Sequence, residues 1–226
     1  MIQGIREQVI TIDNNRLLSQ MGYNDDSEPS AKVQSLVDDY IDNYHNLIES
    51  SFSYTLKDIE FVQGSTVYIE GFIAFESKVL ARLLKKCEQV GMFALTIGSH
   101  LEEMSDYLAK NNLVLQATVL DAIGSTAAEQ LAEYVENMLR RSAAFNGLVI
   151  SRRFSPGYCD WDVTQQEMVF EALQEETADI RLTEEYLMIP RKSISGIIGI
   201  GSSDFGIDTY NPCRSCRTKD CPGRRD

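Results

Sequence analysis

Arg153-Phe154-Ser155-Pro156-Gly157-Tyr158 is the stretch on which the reading of this chain turns. It lies just past the middle of 226 residues. A short apolar run, Gly147-Leu148-Val149-Ile150-Ser151, leads in, and the pattern from Thr164 to Leu173 predicts a helix leading out. Between them the residues predict a segment that is neither strand nor helix. Pro156 lacks a backbone donor and biases Ser155 toward extended geometry. Gly157 lets the backbone turn tightly or approach a ligand closely. Arg153 supplies a planar fork of donors suited to a carboxylate, and Tyr158 adds a ring with a hydroxyl. Such a loop is a candidate site for a small anionic molecule; the bland alternative is a structural turn beside a surface Arg.

The chain is long enough for one large domain or two small ones. Its 43% hydrophobic and 24% charged residues are those of an ordinary globular protein. The net charge of −13 disfavours non-specific nucleic-acid binding. From Cys213 onward five Lys or Arg face two Asp, so that tail carries +3 and the remainder −16. No apolar run approaches the roughly 20 residues that span a bilayer, and the N-terminus does not read as a secretory signal. A cytoplasmic chain with reduced thiols is the expectation.

Outward from the loop, residues 113–141 form the longest helical pattern. Leu120, Ile123, Ala127, Leu131, Tyr134 and Met138 make a core-facing stripe. Gly124 interrupts it, which a close crossing with another element would explain. Glu129, Glu133, Glu136 and Arg140 lie on another face. They are either a solvated face with one i,i+4 pair or a face that turns an acid toward the Arg153 loop. Further helices are predicted over 14–21, from an N-cap at Ser30 to about Ser50, over 77–89, and from Ser99 or His100 through Leu108. Cys87 reads as a packed small hydrophobe, and His45 and His100 as surface residues. Strands are predicted over 5–12, over 52–73 with a break at Gln63-Gly64-Ser65, over 91–98, and along the glycine-punctuated run from Met188 to Gly201. Leu182 to Tyr186 reads as a short turn of helix. Gly196, Gly199 and Gly201 do not make a nucleotide loop, because they lie within a strand pattern and no helix follows.

The chain ends Asn211-Pro212-Cys213-Arg214-Ser215-Cys216, continuing through Cys221. Two and then four residues separate Cys213, Cys216 and Cys221. Prolines and Gly223 favour tight turns that present ligands, and Arg214, Arg217 and Lys219 favour the thiolate form. Three thiols in nine residues point to zinc or an iron–sulfur cluster. Cys159, directly after Tyr158, is the first candidate for a fourth ligand, and Cys87 the second. The alternatives are a tail whose thiols bind nothing, or a redox pair from Cys213 and Cys216.

Arg153-x-x-x-Gly157-Tyr158, with Pro before the Gly, resembles the signature of the activation domain of cobalamin-dependent methionine synthase. Thr126-Ala127-Ala128-Glu129-Gln130-Leu131-Ala132-Glu133-Tyr134 is similar to that family's long helix before the loop. Ser193-Ile194-Ser195-Gly196 is similar to its Ser-Val-Ser-Gly strand after it. The N-terminal hundred residues are more similar to short, free-standing relatives from anaerobic bacteria. The resemblance implies one α+β domain, residues 1–212, followed by a Cys-rich basic tail, 213–226. It implies a twisted, largely antiparallel sheet with helices packed around it and the loop at its concave edge.

The resemblance also implies a function. The chain would be an accessory protein for the reductive reactivation of a corrinoid-dependent methyltransferase. It would hold S-adenosylmethionine above the cobalamin of that partner, served by an electron donor such as flavodoxin or ferredoxin. Arg153 would hold the S-adenosylmethionine carboxylate or nearby backbone. Ser155 and Gly157 would present main-chain groups, Tyr158 would point toward the corrin as the catalytic candidate, and Glu129 would face the sulfonium or amino group. The chain departs from the family pattern near Gly147, where an acid is expected, and near Gly206 and Ile207, where tyrosines are expected. Two further functions follow from the residues: a metal- or cluster-binding redox protein on the same scaffold, and an acidic interaction module with neither ligand.

Overall fold

A computed structural model describes residues 3–6, 10–23, 27–174 and 177–215. Nine strands and six α-helices are formed in that range: β1 (Gln3–Arg6), α1 (Asn14–Gln20), α2 (Ala31–Asn43), β2 (Ser51–Gln63), β3 (Thr66–Ile69), β4 (Ile73–Glu76), α3 (Lys78–Leu84), β5 (Gln89–Thr96), α4 (His100–Lys110), α5 (Val114–Phe145), β6 (Val149–Phe154), α6 (Gln166–Leu173), β7 (Arg181–Leu182), β8 (Met188–Ile189) and β9 (Ser193–Gly201). The main sheet runs β4-β3-β2-β5-β9-β6, with β1 paired to β2, and β7 and β8 form a separate two-stranded ribbon. Every pairing is antiparallel. The fold is therefore α+β, as the resemblance implies.

Alternation along the strands sorts the core into two layers. Phe93 and Leu95 of β5 and Ile198 and Ile200 of β9 point to a core shared with α5, α1, α2 and α4. Val90, Met92, Ala94 and Ile197 point to the opposite core, under α3 and α6. Helix α5 crosses the first face. A Cβ on Gly91 of β5 would stand 3.3 Å from Leu139 of α5. Gly124 sits at the crossing of α5 with α4, where an added Cβ would meet Leu101 at 2.9 Å. Leu120, Ile123, Ala127 and Leu131 are buried as the stripe requires, but its C-terminal half is Val135, Leu139 and Ala143. Tyr134 stays 37% exposed. Over 32 residues the three-and-four spacing drifts around the cylinder, so the buried stripe moves on by one position.

Several boundaries differ from the sequence expectation. Arg153 and Phe154 belong to a strand: they pair with Ile198 and Ile197 of β9, and the loop begins only at Ser155. Leu182 to Tyr186 is not helical. The Thr183 hydroxyl accepts from the N–H groups of Glu185 and Leu187, each at 3.2 Å, and so turns β7 back toward β8. Helix α2 stops at Asn43 and passes into a short 3-10 turn, Tyr44–Leu47. There Tyr44 donates to the Ile10 carbonyl at 2.6 Å and accepts from Ile12 N–H at 3.2 Å. Helix α3 ends at Leu84, leaving Cys87 in the turn before β5. Of residues 5–12, Ile5 and Arg6 belong to β1, and Ile10 to Ile12 are not in a strand. Among the described residues no helix is long and apolar enough to cross a membrane.

Candidate functional site

The site begins with an irregularity in β6. Ile150 pairs with Ile200, but the next pair is Arg153 with Ile198, so Ser151 and Arg152 on β6 together stand opposite Gly199 on β9. This is a β-bulge at Ser151-Arg152. The Ser151 hydroxyl accepts the Gly199 N–H at 2.9 Å and donates to the Arg152 carbonyl at 2.7 Å, filling the gap in the ladder. A regular strand would put Ile150 and Phe154 on one face. The bulge instead puts Ile150 and Arg153 under α5, and Phe154 in the opposite core.

Arg153 is thereby driven beneath α5, where its side chain is only 7% exposed and its guanidinium donates through Nη2 to Glu129. Glu129 stays 42% exposed, so one member of the pair is dry and the other wet. Nη1 of Arg153 is buried and has no partner among the described residues. Arg153 lines a cleft of about 350 Å³ together with Arg16, Glu133, Glu136 and Asn137. Arg16 of α1 donates to Glu133 at 2.8 Å, and Arg140 donates to Glu136 at 2.7 Å. The polar face of α5 thus does both things its spacing allowed: it carries an i,i+4 pair and it turns an acid onto Arg153. Arg16 lies 117 residues from Glu133 in sequence, and no local signal pointed to it.

The loop itself is built from short internal bonds. Tyr158 N–H donates to the Ser155 carbonyl (3.2 Å), and Gly157 N–H, at φ 91°, donates to the Trp161 carbonyl (2.8 Å). The Gly157 donor is therefore engaged within the loop. Tyr158 is 44% exposed at its tip. Trp161 is buried edge-on against Phe75, anchoring the far end. The start of the loop rests on β9, where Gly196 leaves room for it. A Cβ there would lie 2.4 Å from the Phe154 carbonyl and 3.1 Å from the Ser155 hydroxyl. The Ser193-Ile194-Ser195-Gly196 run is a platform for this contact. Ser193 donates to the Pro190 carbonyl at 2.6 Å and lies 2.9 Å from Thr96 Oγ1. Ser195 donates to Gln166 of α6 at 2.8 Å.

Asp160 is a second residue that sequence reading passed over. Its carboxylate accepts from Ser77 Oγ at 2.6 Å, Lys78 N–H at 2.8 Å and Val79 N–H at 3.3 Å, so the loop caps α3. Burial pushes its pKa up, but the bonds from Ser77, Lys78 and Val79 outweigh that and hold it below the ordinary 3.8. A carboxyl with a depressed folded pKa stabilises above its ordinary pKa and loses that contribution as pH falls through the folded value. Asp160→Ala is expected to lower unfolding free energy by about 2 kcal/mol at neutral pH. The deficit should shrink as pH drops below 3.8, as measured by urea unfolding across that range.

The thiols separate into two kinds. Cys87 donates to the Leu83 carbonyl (3.5 Å) and packs where a Cβ on Gly199 would meet its sulfur at 2.6 Å. Burial pushes its pKa up to about 12. It is an inert, packed thiol, and its candidacy as a ligand ends there. Cys159 is exposed at φ 56°, and Cys213 is half-buried in a 3-10 turn, Pro212–Ser215. Cys216 and Cys221 lie outside the described residues. Tyr210, near where family tyrosines were sought, packs on Phe154 with ring centroids 6.2 Å apart.

The model of the family described as "Vitamin B12 dependent methionine synthase, activation domain" matches residues 69–209, more than half of the chain. Among solved structures, the MetH reactivation domain bound to AdoHcy superposes with a TM-score of 0.69 at 17% identity, over 88% of this chain and 78% of that one. At that identity the likeness is one of fold. Its 88% coverage of this chain exceeds the segment matched by the family model. The chain belongs to the vitamin B12-dependent methionine synthase activation domain family.

Proposed function

We propose that this protein docks on a corrinoid-binding methyltransferase and supports its reductive reactivation, holding S-adenosylmethionine in the cleft beside Arg153. One observation carries the reading: Arg153, which lines that cleft, is 7% exposed and its Nη1 is buried with no partner among the described residues. An unspent buried guanidinium N–H favours a carboxylate partner. Glu133 and Glu136 line the same cleft, each paired with an arginine, and their carboxylate oxygens are acceptors that suit an ammonium. The volume, about 350 Å³, falls in the range of about 300–1,000 Å³ typical of small-molecule pockets. AdoHcy in the similar structure is the demethylated form of this ligand. The partner's corrinoid would supply the redox chemistry, taking an electron from an external donor such as a flavodoxin or ferredoxin and a methyl group from S-adenosylmethionine, which would leave as S-adenosylhomocysteine. This chain contributes position: Arg153 fixes the amino-acid end, Ser155 stands at the root of the loop, and Tyr158 faces outward toward the docked partner.

The test is calorimetry of the full chain with S-adenosylmethionine and S-adenosylhomocysteine, followed by anaerobic methylation of a corrinoid-loaded methyltransferase under reductant. Binding of both ligands and faster methylation are expected. No heat with either ligand and no acceleration would overturn the reading. For the second reading, a metal- or cluster-binding redox protein on the same fold, no group of three or more His, Cys, Asp or Glu placed to hold a metal ion is found among the described residues.

A further inference from the structure

We infer that the exposed face of α3 carrying Lys78, Arg82 and Lys85 docks an acidic protein surface, that of the one-electron carrier serving the reactivation proposed above. The carrier's role rests on that reading; the surface stands on charge and placement. Lys78, Arg82 and Lys85 recur at i, i+4 and i+7, so they share one side of the helix, away from the buried Leu80, Ala81, Leu83 and Leu84. All three are exposed, as is Lys86 in the turn that follows. The stretch from Lys78 to Lys86 carries +4 and no acid, which leaves −17 on the remainder of the chain. Arg16, Arg140, Arg153, Arg191 and Lys192 each pair with a carboxylate, whereas among the described residues no acid pairs with Lys78, Arg82, Lys85 or Lys86. Asp160, which abuts the start of α3, is spent on Ser77 Oγ and on the N–H groups of Lys78 and Val79. Lys86 donates to the Phe205 carbonyl at 3.2 Å, and the exposed Phe205 ring sets an aromatic at the edge of the cations.

Placement selects the partner. Val79 N–H donates to Asp160, and its carbonyl accepts from Tyr210 Oη at 3.2 Å, so the loop that carries Tyr158 borders α3. Helix α3 packs on the face of the sheet opposite α5. A protein seated on α3 therefore stands beside the loop while leaving the cleft at Arg153 open for the corrinoid partner. The cations from Lys78 to Lys85 extend about 10 Å along the helix, the size of a local patch. A nucleic acid or an anionic bilayer would run past it onto a chain of −17, which repels both. A compact acidic carrier is repelled elsewhere and attracted here, so α3 sets where it lands.

The test measures association of the full chain with purified flavodoxin and with ferredoxin at low and high salt. Association that weakens as salt rises is expected with at least one carrier. Arg82→Glu/Lys85→Glu should weaken it by on the order of 10-fold or more at low salt, and Arg82→Gln/Lys85→Gln by less. A Lys32→Glu/Lys110→Glu control, at exposed positions on α2 and α4, should leave it unchanged. Circular dichroism and urea unfolding check that each variant is folded. Binding of neither carrier to the wild type, or equal weakening in the control, would overturn the surface. Weakened binding of a corrinoid-loaded methyltransferase instead of the carriers, or binding of RNA or anionic vesicles in their place, would overturn the assignment to a carrier. S-adenosylmethionine calorimetry should be unchanged in both α3 variants. A wild type that binds no S-adenosylmethionine would remove the reading of the cleft, and carrier association would still be measured on its own.

Discussion

Glu129→Leu is expected to destabilise the protein more than Arg153→Met, although both remove the same ion pair. The reason is the unequal burial of the partners. Glu129 is 42% exposed, so when Arg153 is replaced the orphaned carboxylate returns to water. Arg153 is 7% exposed and its Nη1 has no partner among the described residues, so when Glu129 is replaced a dry guanidinium loses its counter-charge. Stranding one member of a buried pair costs about 3–5 kcal/mol, whereas an apolar side chain of similar volume in place of the buried cation costs little. Urea unfolding of the two variants measures the difference, and equal losses would show that Arg153 is better hydrated than its exposure indicates. Ligand binding should follow the opposite order. Arg153→Met should weaken S-adenosylmethionine binding by on the order of 100-fold, the value of a charge-assisted hydrogen bond. Wild-type affinity in Arg153→Met would remove Arg153 from the proposed site.

Gly196→Ala should cost about 3 kcal/mol and misplace the loop. Its Cβ would fall 2.4 Å from the Phe154 carbonyl oxygen and 3.2 Å from Phe93 Cζ. Neither neighbour can yield easily. The carbonyl belongs to a strand paired with β9, and Phe93 is fully buried. Gly199→Ala is the informative comparison. Its Cβ would meet the Cys87 sulfur at 2.6 Å, and a small side chain can rotate where a paired backbone cannot. The midpoint of denaturant unfolding should therefore fall further for Gly196→Ala, and that variant should also lose S-adenosylmethionine affinity because Ser155 sits directly over the new methyl group. A Gly196→Ala protein with unchanged stability and binding would mean that the strands separate there at little cost.

Much of this arrangement could be read from residue order because its determinants are local. Ser30, Ser77 and Asp162 cap the turns that follow them. The Gly64-Ser65 break and the glycines of β9 also stand where the sequence put them. The resemblance in Arg153 to Tyr158 led to the right family. Three parts of the site were not legible. The bulge at Ser151-Arg152 has no composition signal, because a serine hydroxyl standing in for a ladder partner is seen only when the other strand is present. Arg16 reaches the cleft from a helix distant in sequence. Asp160 was not singled out, since the N-terminus it caps lies about 80 residues earlier. The choice left open for the α5 acids was resolved the same way: helical spacing sets which residues share a face, and only the strand beneath decides which of them meets a cation.

The bulge makes the motif depend on parity. Arg153 reaches α5 because an odd number of steps, three, separates it from Ile150, while its partners on β9 are an even two apart. The same three steps in a regular strand, without the bulge, would keep every letter of Arg-Phe-Ser-Pro-Gly-Tyr and turn the guanidinium into the apolar layer beneath α3 and α6. The six-residue signature therefore identifies a working cleft only when it is counted from the strand before it, and the spacing to Ile150 is as much a part of the site as Arg153 itself.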